Sequence, residues 1–100
     1  MNISFEAPYY NFNKSERVET IAVYNQFINW VIGEFDLCQI EECEGLKVYF
    51  ANGYFSVDLL YKSKKYLNVI IKIKSKTLND GKKIENILNT IFSNLKKLEN

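Results

Sequence analysis

Histidine is absent from this chain of 100 residues. Its absence removes the Ser–His and Cys–His nucleophile pairs and the commonest general acid–base. Proline occurs once and glycine four times, each glycine isolated. That excludes a disordered linker or collagen-like tract, and it excludes a glycine-rich phosphate loop. Cysteine occurs twice, as Cys38 and Cys43, read here as one strand and its turn. Five residues of strand rise hold their Cα atoms about 16 Å apart, far beyond the ~7 Å reach of a disulfide. Without histidine, two thiols do not complete a zinc site. Both cysteines are expected to be free, and no metal or cofactor is expected. Long apolar runs are missing too. The stretches Phe27–Phe35 and Tyr66–Ile73 are interrupted by Asn29, Asn68 and Lys72, and neither approaches the ~20 residues of a membrane span. Met1–Tyr10 carries Glu6 and has neither the basic nor the apolar segment of a signal peptide. A cytoplasmic location is expected, with no membrane partner.

What is present suits one globular domain spanning residues 1–100. Hydrophobic residues make up 47% of the chain and aromatics 15%, enough for a core that needs no disulfide. Asn, Lys and Ile together form roughly a third of the residues, well above ordinary usage, as expected of an AT-rich coding sequence from a low-GC bacterium or its phage. The net charge of +1 hides an asymmetry. Residues 1–50 hold Lys14, Arg17 and Lys47 against eight acids, a balance of −5. Residues 51–100 hold ten lysines against Asp58, Asp80, Glu85 and Glu99, a balance of +6.

Periodicity gives the elements. Residues 1–12 mix an alternating Ile3 and Phe5 with Pro8 and paired tyrosines, reading as an arm or an edge strand. Asn13 with Glu16 has capping-box spacing, which predicts a first helix from about 13–15 to Ile32. Its apolar arc is unusually wide, running through Ile21, Val23, Tyr24, Phe27, Ile28, Trp30, Val31 and Ile32. A stripe along Val23, Phe27 and Trp30 is therefore expected to meet a second helix or form an interface. Asn52–Gly53 between alternating segments predicts a type I′ hairpin. That turn pairs Phe50 with Phe55, Val48 with Val57, Leu46 with Leu59 and Lys47 with Asp58. Strand 66–76 places Leu67, Val69, Ile71 and Ile73 on one face. A turn at Ser63–Lys65 would then set Leu59 beside Val69 and Val57 beside Ile71. Upstream, Leu37–Glu42 joins through Cys43–Glu44–Gly45, with Gly45 left-handed and Glu41 opposite Lys47. A last helix from about Asp80 to Leu98, capped by Asn79 or Asp80, carries a stripe of Ile84, Ile87, Leu88, Ile91, Phe92, Leu95 and Leu98. The expected fold is α+β. It is a four-stranded antiparallel meander, five-stranded if the N-terminus adds an edge, with both helices on one face in the order α-β-β-β-β-α.

No constellation of catalytic groups stands out. Glu41, Glu42 and Glu44 are close in sequence, but strand alternation sends neighbours to opposite faces, so they do not converge. A non-enzyme is expected. The outer sheet face combines Tyr49, Tyr54 and Tyr66 with Lys72 and Lys74. Such a surface suits a protein interface, or alternatively base stacking with phosphate neutralisation. Tyrosine's strand propensity and lysine's blunting of exposed strands account for the same residues without any partner. The partner-binding candidates are Phe27, Trp30, Tyr49, Tyr54, Tyr66, Lys72 and Lys74. The nucleic-acid alternative uses Lys62, Lys64, Lys65, Lys72, Lys74, Lys82 and Lys83.

Lys82–Lys83 opening the last helix, together with the helix–strands–helix order, resembles a double-stranded-RNA-binding domain. The resemblance covers that order and the stretch Gly81–Ile84 alone. The chain lacks that family's Gly-Pro strand region and has an extra strand, so no membership is inferred. The leading expectation is a small non-enzymatic module that occupies another protein or ribonucleoprotein, in the manner of inhibitors, immunity proteins and anti-CRISPR-like phage counter-defence proteins. Nucleic-acid binding is the alternative. A homodimer through the wide face of the first helix is compatible with both.

Overall fold

The computed structural model describes residues 2–42, 45–61 and 67–98. Its elements are β1 (Asn2–Glu6), β2 (Tyr9–Val18), α1 (Ile21–Glu34), β3 (Gln39–Glu42), β4 (Leu46–Phe50), β5 (Gly53–Tyr61), β6 (Leu67–Ser75) and α2 (Leu78–Leu98). The six strands form one antiparallel sheet in the order β1-β2-β6-β5-β4-β3. The expected meander of four strands is present as β3 to β6. Two further strands precede the first helix, so the order is β-β-α-β-β-β-β-α rather than α-β-β-β-β-α.

The N-terminus is the main correction. It is neither an arm nor a lone edge strand but a β1–β2 hairpin, and β2 ladders with β6 from Tyr10 opposite Ser75 to Val18 opposite Leu67. Alternation on its inner face runs Phe12, Lys14, Glu16, Val18, and the two charges break the apolar pattern that would have announced a strand. They are tolerated there because they satisfy each other. Lys14 Nζ lies 3.0 Å from Glu16 Oε1, Lys96 of α2 lies 3.4 Å from Glu16 Oε2, and Lys14 donates to the Asn89 side chain. Glu16 therefore pairs with lysines instead of closing a capping box with Asn13. The N-cap of α1 is Thr20, whose Oγ1 accepts from the Val23 N–H at 3.3 Å.

The β4–β5 hairpin keeps its expected faces but shifts by two residues. Phe50 pairs with Gly53, Val48 with Phe55, Leu46 with Val57, and Lys47 faces Ser56 rather than Asp58. A two-residue slip preserves which side chains point inward, because the strand period is two. The turn is thus Ala51–Asn52, and no described glycine has positive φ, neither Gly53 nor Gly45. Gly53 is needed for a different reason: a Cβ there would collide with the Lys74 carbonyl of β6. Glycine permits that close backbone approach. β5 and β6 pair as expected, with Leu59 opposite Val69 and Val57 opposite Ile71. The predicted turns at Cys43–Glu44 and Ser63–Lys65 lie outside the described residues.

Both helices cover one sheet face. Phe12, Val48, Phe55, Val57, Val69 and Ile73 from the sheet are buried there, with Phe27 and Val31 from α1 and Leu88 and Leu95 from α2. Phe27 stacks at a tilt on Phe92, with ring centroids 4.9 Å apart, and Phe35 meets Phe55 edge-on at 5.0 Å. This position uses part of the broad arc of α1: Phe27 and Val31 are buried and Val23, Tyr24, Ile28 and Ile32 partly so, while Ile21 and Trp30 stay exposed. α2 is capped by Thr77, not by Asn79 or Asp80; the Asp80 N–H donates to Thr77 Oγ1 at 3.2 Å. Its first turn lies directly on Phe12, where Gly81 leaves room that a Cβ would fill.

Asp80 also accepts from the Asn52 side chain, tying the β4–β5 turn to α2. The Asn52 and Thr77 hydrogen bonds hold its carboxyl below the ordinary aspartate range, with Lys83 assisting. A depressed folded-state pKa means that Asp80 contributes stability above its ordinary pKa, and that this is lost as pH falls through the folded-state value. Thermal melts of wild type and Asp80→Asn should therefore differ at pH 7 and converge as the pH is lowered into the carboxylate range. A difference that persists unchanged to low pH would contradict this role.

Candidate binding face on the outer sheet surface

Because the helices occupy one side, alternate residues of the six strands form an open second face. Register arranges it in lateral rows. The first row runs Asn11, Lys74, Tyr54, Tyr49 and Gln39 from β2 to β3. The next runs Asn13, Lys72, Ser56, Lys47 and Glu41. Beyond these lie Ser15, Ile70 and Asp58, and then Arg17, Asn68 and Leu60. The face thus grades from an aromatic, basic end to a mixed end where Leu60 is 45% exposed.

Tyrosines dominate the first end. Tyr49 and Tyr54 are direct cross-strand partners, with ring centroids 5.9 Å apart at 47°. Tyr9 joins from the neighbouring hairpin, its ring 6.4 Å from Tyr54 at 69°. Lys47 lies over both of the first two rings, its Nζ 4.3 Å from the Tyr54 centroid and 5.1 Å from that of Tyr49. This is cation–π geometry. A hydrogen bond with the Tyr49 side chain holds the Lys47 ammonium above the ordinary lysine pKa; burial opposes it, and the charges of Tyr49, Tyr54 and Glu41 each add a lesser upward push. Glu41 sits opposite Lys47 in the ladder, as the sequence suggests.

The candidate residues divide by place. Tyr49, Tyr54, Lys72 and Lys74 share the outer face. Phe27 does not: it is fully buried between the sheet and α2, so it is a core residue and no contact anchor. Trp30 is 36% exposed and belongs to another surface. It lines an open groove of about 640 Å³ between α1 and α2, with Ile87 and Ile91 at its base and Asn29, Asn86 and Asn94 at its rim. Lys82 and Lys83 are exposed on α2, across the sheet from Lys72 and Lys74, so the predicted basic cluster is split between two sides. Tyr66, Lys62, Lys64 and Lys65 lie outside the described residues. Tyr9 is the contributor that sequence reading missed. Its signal was the Tyr9–Tyr10 pair, which a strand sends to opposite faces.

Cys38 is half-buried and free. Among the described residues, no three His, Cys, Asp or Glu side chains group to hold a metal ion. No described helix is long and apolar enough to cross a membrane. Fold and face together define a two-layer α+β domain, a six-stranded antiparallel sheet backed by two helices with its other side open. No protein-family model matches the chain, and no curated protein matches it in sequence.

Proposed function

We propose that this protein is a small, non-enzymatic binding module that acts by occupying another protein, as inhibitors, immunity proteins and phage counter-defence proteins do. Its contact surface is the outer sheet face. The observation that carries this reading is the Tyr9–Tyr54–Tyr49 cluster with Lys47 on a sheet surface that neither helix covers. Tyrosine joins a large apolar area to a polar hydroxyl at low entropic cost, and aromatic residues dominate interface hot spots. Both charge signs are present on the face, with Glu41 and Asp58 beside Lys47, Lys72 and Lys74. Such mixed patterning favours a specific protein partner and sets its orientation.

Nucleic-acid binding is the second reading, favoured by Lys74 standing in the same row as Tyr54 and Tyr49 with Lys72 in the row beside it. Two features weigh against it. The rings are tilted against one another rather than laid out as parallel platforms, and the Lys47 ammonium already occupies faces on which bases would stack. The α2 lysines also point away from this surface.

Affinity capture with the tagged protein from lysate of its native host, with and without nuclease, separates the two. A protein partner should survive nuclease and moderate salt, and should be lost with Tyr49→Ala/Tyr54→Ala. Recovery of nucleic acid, or binding that vanishes with nuclease and falls steeply with salt, would overturn the protein reading.

A further inference from the structure

The sheet ends in two edges of unlike chemistry. On one side β3 is four residues long and carries Glu41 and Glu42, both exposed. Charges on a short edge strand discourage further pairing. On the other side β1 is uncharged from Ile3 to Phe5, and Glu6 is its one charge. Ile3 stands opposite Phe12 and Phe5 opposite Tyr10, so both lie on the helix-covered side of the sheet. Yet α2 packs chiefly on β2 and β6 rather than on β1. Ile3 and Phe5 are consequently 44% and 56% exposed, in line with the core but not covered by it.

An edge strand offers a row of unpaired backbone N–H and C=O groups, a template for another strand. We propose that β1 pairs antiparallel with β1 of a second copy of this chain, with Ser4 opposite Ser4 across a two-fold axis normal to the sheet. The sequence of β1 is self-complementary in that register. Ile3 of each copy faces Phe5 of the other, which turns the exposed apolar side chains into two cross-strand pairs on the inner face. Tyr10 extends the patch, since its ring already rests 4.8 Å from that of Phe5. Glu6 falls opposite Asn2, away from its own symmetry mate. The pleat allows only shifts of two residues, and either shift leaves part of the five-residue strand unpaired. The same operation at β3 would gather four glutamates at the seam.

The closed two-fold pairing makes an isologous dimer with one continuous twelve-stranded sheet. Its axis keeps both tyrosine faces on the same side, so the dimer presents the outer face twice. This inference rests on β1 and does not depend on the function proposed for that face.

Five residues a side is far below the ~20–30 of a standard interface, so the dimer is concentration-dependent. Sedimentation equilibrium of the intact chain from about 10 µM to about 1 mM, the range where small interfaces form, should show the mass rising from monomer toward dimer. Phe5→Lys, at a position more than half exposed, should stay monomeric throughout while keeping the wild-type circular dichroism and melting temperature at low concentration. Ile3→Glu should do the same. Combining Ile3→Glu with Phe5→Lys sets opposite charges across the seam in this register alone, and it should restore a dimer that salt dissociates. A wild-type protein that stays monomeric to the top of the range would overturn the proposal. A dimer that survives Phe5→Lys would move the seam elsewhere, to the Trp30 groove for example. A double variant that stays monomeric would rule out the Ser4-centred register.

Discussion

Replacing Phe12 with alanine is expected to cost about 3–5 kcal/mol of folding stability, the usual loss for a fully buried phenylalanine truncated to alanine. Phe12 is completely buried. It stands opposite Ile73 in the β2–β6 ladder and lies beneath Gly81 at the start of α2. Its ring therefore joins the N-terminal hairpin to both the sheet centre and the second helix, and the cavity left behind would have rigid backbone on two sides. A domain of this size has about 5–15 kcal/mol in total, so the variant should be marginal or unfolded at physiological temperature. Urea unfolding measures it, with Phe5→Ala as the comparison. Phe5 is more than half exposed, and its truncation should cost less than about 1 kcal/mol, as surface changes usually do. Equal, small losses for both variants would mean that residues 2–18 are a detachable arm, and the six-stranded sheet would be wrong.

The second large effect is on binding. Tyr49→Ala and Tyr54→Ala should each weaken the captured partner by at least about 30-fold, the ~2 kcal/mol that defines a hot spot. Their rings touch each other and share Lys47, so the double variant should lose less than the product of the single losses. Both side chains are only half-buried on an open face, so the fold should survive, and melting temperature serves as the control. Lys82→Ala/Lys83→Ala, on the other side of the molecule, should leave the affinity for a protein partner unchanged. If the lysine pair abolishes binding and the tyrosines do not, the contact surface lies on the helix layer instead.

Much of the fold was legible because local pattern and tertiary outcome agreed. Ile84, Leu88, Ile91, Phe92 and Leu95 of the last helix are buried as their spacing implies, with Ile87 partly so. Leu59 and Val69 pair where their alternation places them, and Glu41 faces Lys47. The outer-face positions of Tyr49 and Tyr54 followed from the same alternation. The failures have particular causes. The two-residue slip at the β4–β5 turn was invisible to a period of two, because it leaves the inward faces of both strands unchanged. Phe27 looked available because α1 is apolar over more than half its circumference. Only the packing of Phe92 against it shows that Phe27 is taken up in the core, while Ile21 and Trp30 of the same arc stay exposed.

By itself, the sequence determined the class of the fold, the central meander, the amphipathic final helix and which side chains face outward along the strands of that meander. These follow from hydrophobic periodicity, which is a local property of the chain. Tertiary structure alone decided that residues 9–18 form a central strand, because their inward Lys14 and Glu16 are satisfied by each other and by α2, partners more than seventy residues away. It also decided which lysines share a surface with the tyrosines. Lys72 and Lys74 do and Lys82 and Lys83 do not, because a sheet has two faces and the helices cover only one of them.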